Sequence, residues 1–249
     1  MGKSYKIVSM FRKYADRILI HSCKVLVLAA GTVVPFNYAA AQYADTDPYA
    51  RVNRNIYAFN QSLDESIFRP VTQAYDDILP PFAKRGVTNF FNNLDDINVV
   101  FNDLLQLKMT NALHDSSRFV VNTTVGVAGF FDVATGMGLY KNYEDFGQTL
   151  GYWGVPTGPY IVLPLLGTSN VRDAIGLVPD YLLNPVFWVN DREARFFLYA
   201  LDNTDTRLFY MAAESMVSGD EYIFVRDAYL QRREYLVADG EVYDEWDDF

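Results

Sequence analysis

Ten of the fifteen glycines in this chain fall between Gly126 and Gly176. The densest part, Phe146-Gly-Gln-Thr-Leu-Gly-Tyr-Trp-Gly-Val-Pro-Thr-Gly-Pro-Tyr-Ile-Val-Leu-Pro-Leu-Leu-Gly167, holds no acid, base or thiol. Glycine is the residue that allows sharp turns and close backbone approach. A segment of this kind interrupts regular helix, and beside aromatics and an apolar run it shapes a greasy passage or binding surface. It offers nothing that attacks a bond.

The first 41 residues are marked off by charge. Lys3, Lys6, Arg12, Lys13, Arg17 and Lys24 stand against Asp16 alone, a net of +5. An apolar run from Val25 to Phe36 follows, then Ala39-Ala40-Ala41. A basic start, a short apolar core and small residues at the exit are the pattern of a cleaved secretory signal. Pro35 and Asn37 stop the run short of the roughly 20 apolar residues that a membrane span needs. We expect residues 1–41 to be removed, leaving residues 42–238 as one helical domain and 239–249 as an acidic, disordered tail.

Without that leader the formal charge of −10 becomes −15, and six acids sit in the last eleven residues. Such a surface repels phosphate backbones, so nucleic acid is excluded as a partner and membrane attachment must rest on apolar burial. The one cysteine, Cys23, precedes the apolar run, the wrong order for a lipid-attachment signal, and we expect it to leave with the leader. The mature chain then has no thiol nucleophile, disulfide or cysteine zinc site.

Helical periodicity dominates the remainder. Tyr49, Val52, Ile56, Phe59, Leu63 and Ile67 recur at spacings of three and four, with Asp47-Pro48 read as the start and Arg69-Pro70 as the end. A second helix is expected near Pro81 with Phe82, Val87, Phe90, Phe91 and Leu94 inward, running into Ile97, Val100, Phe101, Leu104 and Leu105. A third starts near Asn111, and further helices follow Asp191 and run to Leu236. Residues 130–180 read as turns, short helices and buried loops. The fold class is therefore all-α. The 39 aromatic rings, 18 Tyr, 18 Phe and 3 Trp, fit either an aromatic core or a bilayer interface.

Catalytic constellations are not found. His114-Asp115-Ser116-Ser117 are sequence neighbours, which point in different directions on a helix and form no relay. The acid pairs Asp76-Asp77, Asp95-Asp96 and Glu144-Asp145 are read as helix-start residues favoured by the dipole. We expect no enzyme, no cofactor and no metal site.

Seven segments in order carry a resemblance. They are Asp47-Pro-Tyr-Ala-Arg-Val-Asn-Arg-Asn-Ile-Tyr-Ala-Phe-Asn60, Arg69-Pro70-Val71, Phe119-Val-Val-Asn-Thr123 with Gly129-Phe-Phe-Asp132, Phe146 to Gly154, Gly158-Pro-Tyr-Ile-Val-Leu-Pro164, Arg172-Asp173 and Arg226-Asp-Ala-Tyr-Leu-Gln-Arg232. On these the chain resembles the MlaA (VacJ) family, the outer-membrane component of the system that maintains lipid asymmetry in Gram-negative envelopes.

The resemblance implies a ring-like helical domain in the outer membrane with a central amphipathic channel. It implies passage of phospholipid from the outer leaflet to a periplasmic carrier, and association with trimeric porins. Carried over by position, Asn53, Tyr57, Phe59, Asn60, Gly147, Gly151, Gly154 and Gly158 are candidate channel residues. Phe131, Asp132, Met137, Tyr140 and Phe146 belong to the candidate channel-mouth loop. The lack of a lipid-attachment motif departs from a family that is commonly lipidated. A non-catalytic scaffold for porins is the alternative.

Overall fold

The structure, a computed structural model, describes residues 47–240; the expected leader and all of the acidic tail beyond Gly240 lie outside them. Helix α1 spans Ala50–Leu63 and continues through a π turn, Asp64–Phe68, into α2, Arg69–Ile78. Arg69-Pro70 therefore does not end the first helix. The wider π turn shifts the hydrogen-bond ladder just where proline lacks an N–H, so the chain carries on past it. Nor does Asp47 cap the helix: Tyr49 takes that position, and the Asp47 carboxylate instead binds Asn53 Nδ2 and Tyr222 Oη.

Helix α3, Pro81–Leu105, has proline in its first turn, where the missing donor costs nothing. Helix α4 spans Met109–Thr124, α5 Val133–Gly136 and α6 Phe146–Tyr152. Strands β1, Tyr160–Leu163, and β2, Gly167–Asn170, form an antiparallel hairpin with Tyr160 opposite Asn170. Helix α7, Val171–Leu183, α8, Arg192–Ala213, and α9, Glu221–Val237, complete the order. The hairpin is an element that the glycine-rich reading missed. It is too short for alternation to show, and the turn between its strands contains Pro164.

Asp132, Asp145, Asn170, Asp191 and Asp220 each accept a backbone N–H at the start of α5, α6, α7, α8 and α9 respectively. The Glu144-Asp145 pair thus sits at a helix start as expected. The other two acid pairs do not. Asp76-Asp77 lies in the last turn of α2, where Asp76 pairs with Lys84, and Asp95-Asp96 lies in mid-α3, where Lys141 binds Asp95 at 2.9 Å and Asp96 at 2.7 Å.

The packing forms a closed circuit. Helix α1 lies on β1, β2 lies on α7 and α9, α6 and α7 lie on α3, α3 lies on α8, and α8 lies on α2, which continues α1. Asp205 of α8 closes the last joint by accepting from Tyr75 Oη of α2 at 2.8 Å and Thr88 Oγ1 of α3 at 2.7 Å. Nearby, Arg207 holds Asp64 at the π turn through two bonds of 2.6 and 2.7 Å.

The faces of these helices are the reverse of those in a water-soluble domain. Along α3 and its end, Asn93, Asp96, Asn98, Asn102, Asp103 and Gln106 are buried, while Phe82, Phe101 and Leu104 are exposed. Along α4, Asp115, Arg118 and Asn122 are buried while Met109, Leu113 and Val120 are exposed. The inward placement expected for Phe82 is therefore overturned, although Phe91 is buried. On α1 the apolar stripe Tyr49, Val52 and Phe59 is exposed and Asn53 is buried.

The polar interior is wired together. Arg118 donates to Thr135 Oγ1 and the Leu139 carbonyl and pairs with Asp132 at 3.0 Å. Asn122 Oδ1 accepts the Ala134 N–H at 2.9 Å. Hydrogen bonds of this kind offset most of the cost of burying polar groups. Among the described residues no helix is long and apolar enough to cross a membrane.

Candidate functional site

The site grows from two asparagines seven residues apart on α1, two helical turns, hence on one face. Asn53 Nδ2 donates to the Tyr160 carbonyl at 3.1 Å and its Oδ1 accepts the Val162 N–H at 3.0 Å. Asn60 repeats the pattern with the Leu163 carbonyl and the Leu165 N–H, both at 2.9 Å. The two amides act as a third strand edge for β1 and fix the hairpin against the helix. Tyr57, between them, donates to Glu221 Oε1 at 2.9 Å and packs edge-on against Tyr222.

Behind the hairpin, α6 crosses α7 at Gly147 and Gly176. A Cβ on Gly176 would fall 2.6 Å from the Gly147 nitrogen, and a Cβ on Gly147 2.5 Å from Asp173 Oδ1. Only glycine permits that approach. Gly151 and Gly158 are also packed, against Arg172 with Val237 and against Val171 respectively. Gly154 faces open space with φ at +85° and is held by its turn alone.

Where β1–β2, α6, α7 and α9 meet there is a cavity of about 210 Å³. Leu163, Leu166 and Leu177 line it together with Asp145, Asp173, Asp180, Tyr229 and Arg233. Arg233 Nη2 binds Asp145 at 2.9 Å and Nε lies 2.7 Å from Asp173. Burial pushes Asp145 up, but Arg233 and the Gln148 N–H outweigh it and hold the carboxyl below its usual range. Asp180 accepts the Phe146 N–H at 2.9 Å, and burial, then the neighbouring Asp145 charge, push it up to about 6. Tyr229 donates to Asp173 at 2.7 Å.

A second buried cluster lies at the α3–α4 turn. Gln106 and Lys108 donate to Glu144 at 2.8 and 3.0 Å, and Lys108 also binds Asp239, the first residue of the expected tail. Asn142 donates to Asp115 at 2.9 Å, and His114 Nδ1 lies 2.9 Å from the same carboxylate. Both oxygens of Asp103 are buried without a hydrogen-bond donor. Burial, then Asp115 and Glu144, push Asp103 up to about 8, so it keeps its proton at neutral pH. Ser117 donates to the Leu113 carbonyl instead of joining His114. Among the described residues no group of His, Cys, Asp and Glu could hold a metal ion.

The candidate channel residues thus divide. Asn53, Tyr57 and Asn60 come together with the hairpin, and Gly147 adjoins the cavity wall, whereas Phe59 is exposed on another face of α1. In the expected mouth loop, Phe131, Met137 and Tyr140 are exposed and Asp132 is tied to Arg118, while Phe146 packs edge-on against Trp153. The sequence reading missed the cavity's Asp173, Asp180, Tyr229 and Arg233. The signal available was the pairing of Arg172-Asp173 with a basic, tyrosine-bearing last helix.

The profile of the MlaA lipoprotein family matches residues 45–236. The Escherichia coli strain K12 protein named intermembrane phospholipid transport system lipoprotein MlaA is 34% identical over 229 residues, 88% of this chain and 90% of that one. Its Haemophilus influenzae namesake is 30% identical over 197 residues, covering 76% and 78%. A solved structure from work on the structural basis for maintenance of bacterial outer membrane lipid asymmetry superposes with a TM-score of 0.68 at 31% identity. It covers 77% of this chain and 98% of its own.

Proposed function

The chain belongs to the MlaA lipoprotein family, and from that premise we propose that it moves phospholipid in the outer membrane. It takes mislocalised lipid from the outer leaflet through an amphipathic passage toward a periplasmic carrier and so maintains lipid asymmetry. The observation that carries this reading is the reversed polarity of the helices, with Asn and Asp faces buried and Phe, Leu and Val faces exposed. An exposed apolar surface on helices too short or too polar to span fits a protein lying within one leaflet, its apolar face toward acyl chains. The closed packing circuit supplies a frame for a passage at its centre.

In this reading the protein is exported, sits on the periplasmic side of the outer membrane and associates with a trimeric porin. It works by shape and needs no bond-breaking step. Supporting the lipid role is the mixed cavity behind the hairpin, which presents leucines beside charged groups, as an amphiphile requires.

The test is membrane association and lipid movement by purified protein in phospholipid vesicles. Phe101→Asp with Leu104→Asp changes two exposed positions and leaves the buried polar face untouched. The reading expects flotation with vesicles and inter-leaflet lipid movement to fall at least several-fold while helical content is kept. Unchanged flotation would sink it.

A further inference from the structure

The cavity behind the hairpin has unbalanced charge. Three carboxylates line it, Asp145, Asp173 and Asp180, beside the guanidinium of Arg233; a second guanidinium, Arg172, pairs with Asp173 at 3.0 Å. Arg233 is already engaged by Asp145 and Asp173. Asp180 meets only neutral donors, the Phe146 N–H and the amides of Asn98 and Asn102. Its charge is dispersed by those bonds but not neutralised, and one carboxylate charge beyond those matched by Arg233 and Arg172 remains in a partly enclosed space, where it attracts a cation.

A metal ion is not the cation that fits, since no metal-binding group of side chains occurs among the described residues. The lining also has apolar members, Leu163 and Leu166 from the hairpin and Leu177 from α7. The occupant is therefore an organic cation with an apolar continuation. At about 210 Å³ the space is smaller than the roughly 300–1,000 Å³ of sites that enclose whole ligands, so it holds a headgroup and leaves acyl chains outside.

Resting on the transport reading, the geometry points to this cavity as a selectivity site for a primary-ammonium headgroup, that of phosphatidylethanolamine. The ammonium binds at Asp180 beside Asp145 and Asp173, and the glycerol end lies along the three leucines. An ammonium supplies three N–H donors to carboxylate oxygens. Both headgroups carry the phosphate charge, but phosphatidylglycerol ends in neutral hydroxyls and has no ammonium to offset it beside the carboxylates. The hydroxyl-bearing strand residues Thr168 and Ser169 complete the lining. Thr168, partly exposed on β2, is a position where charge can be changed without touching the Arg233 network.

The experiment measures which lipids the full protein retains at pH 7.5. The protein is extracted from vesicles of equimolar phosphatidylethanolamine and phosphatidylglycerol, and bound lipid is quantified by mass spectrometry. Wild type is expected to favour phosphatidylethanolamine. Asp180→Asn keeps Oδ1 as the acceptor for the Phe146 N–H and removes the charge; Thr168→Lys adds a positive charge from the strand. Each is expected to lower the ratio of ethanolamine to glycerol lipid about fivefold, a partly screened single-charge effect. A ratio that neither substitution moves, with lipid still bound, overturns the headgroup site alone. Retention of neither lipid by wild type overturns both this site and the transport reading beneath it. Thr168→Lys gives the answer should Asp180→Asn fail to fold.

Discussion

Replacing Asn53 by Leu tests the claim that an amide, and not an apolar contact, joins the first helix to the hairpin. The side chains are similar in size, so packing volume is nearly kept. What is lost is the donor to the Tyr160 carbonyl, the acceptor for the Val162 N–H and the donor to the buried Asp47 carboxylate. Tyr160 and Val162 are 1% and 3% exposed, so water does not replace the amide. Each buried backbone group left unpaired costs about 1–3 kcal/mol, so the two backbone groups cost about 2–6 kcal/mol, while Asp47 keeps the bond from Tyr222. Leu is the better helix former by about 0.5 kcal/mol, which leaves a net loss of about 2–5 kcal/mol. Asn60→Leu is the internal control. Its partners are on half-buried Leu163 and exposed Leu165, where water can step in, and the expected loss is about 1 kcal/mol. Urea unfolding of the two variants in the same detergent, followed by far-UV circular dichroism, gives both numbers. Amide exchange at Val162 should quicken only in Asn53→Leu. If Asn53→Leu were no more destabilising than Asn60→Leu, the amide-clamp reasoning would be wrong.

Glycines in the middle segment separate by what surrounds them. Gly154→Ala meets nothing within 4 Å and should cost about 1 kcal/mol for its left-handed backbone, whereas Gly147→Ala forces apart Asp173 and Arg233 and should cost at least twice that in thermal unfolding. Asp103 gives a pH signature. Its folded-state value of about 8 lies above that of an unfolded aspartate, so the folded state holds a proton the unfolded chain has released; the contribution is complete below about pH 4 and is lost as pH rises through 8. Stability should fall across that window by at most about 1.4 kcal/mol per pH unit, and Asp103→Asn should flatten the profile; a slope unchanged in that variant would assign the proton elsewhere. Mass spectrometry of the mature N-terminus should find Gln42 first, and a diacylated Cys23 would overturn the reading of the leader.

Much of the architecture was legible because helix periodicity is a local property. The starts near Pro81 and Asp191 and a last helix running to Leu236 follow from apolar spacing, and the structure has helices there. The boundary at Arg69-Pro70 was misread because a proline normally stops a helix, and the π turn that accommodates it has no strong sequence signature. The hairpin was missed because its strands are only four residues long and the outer edge of β1 is satisfied by Asn53 and Asn60, more than 100 positions away in sequence. The cavity acids were seen singly, Asp173 beside Arg172 and Asp145 beside Glu144, but what joins them is Arg233 from the last helix.

Which face of a helix points inward is a different question from whether it has two faces. The apolar residues Phe101 and Leu104 and the polar residues Asn98, Asn102 and Asp103 recur with the same period, so their spacing is silent about direction. In water the apolar face turns inward because burying it is favourable at about 25 cal/mol per Å². In a leaflet that drive between helices disappears, since acyl chains serve as well as leucines, and polar groups decide the packing instead. The clue available in sequence is the kind of polar residue. Asn93, Asn98, Asn102, Asp103 and Gln106 are short or amide side chains that make directed bonds at close range, as Asn102 does with Asn98 at 3.1 Å and Thr149 at 2.8 Å. A solvated face would more often carry long flexible Lys and Glu. An amide-rich stripe opposite an aromatic and aliphatic one therefore argues for a polar interior, and in this chain that inversion links the fold to a lipid environment.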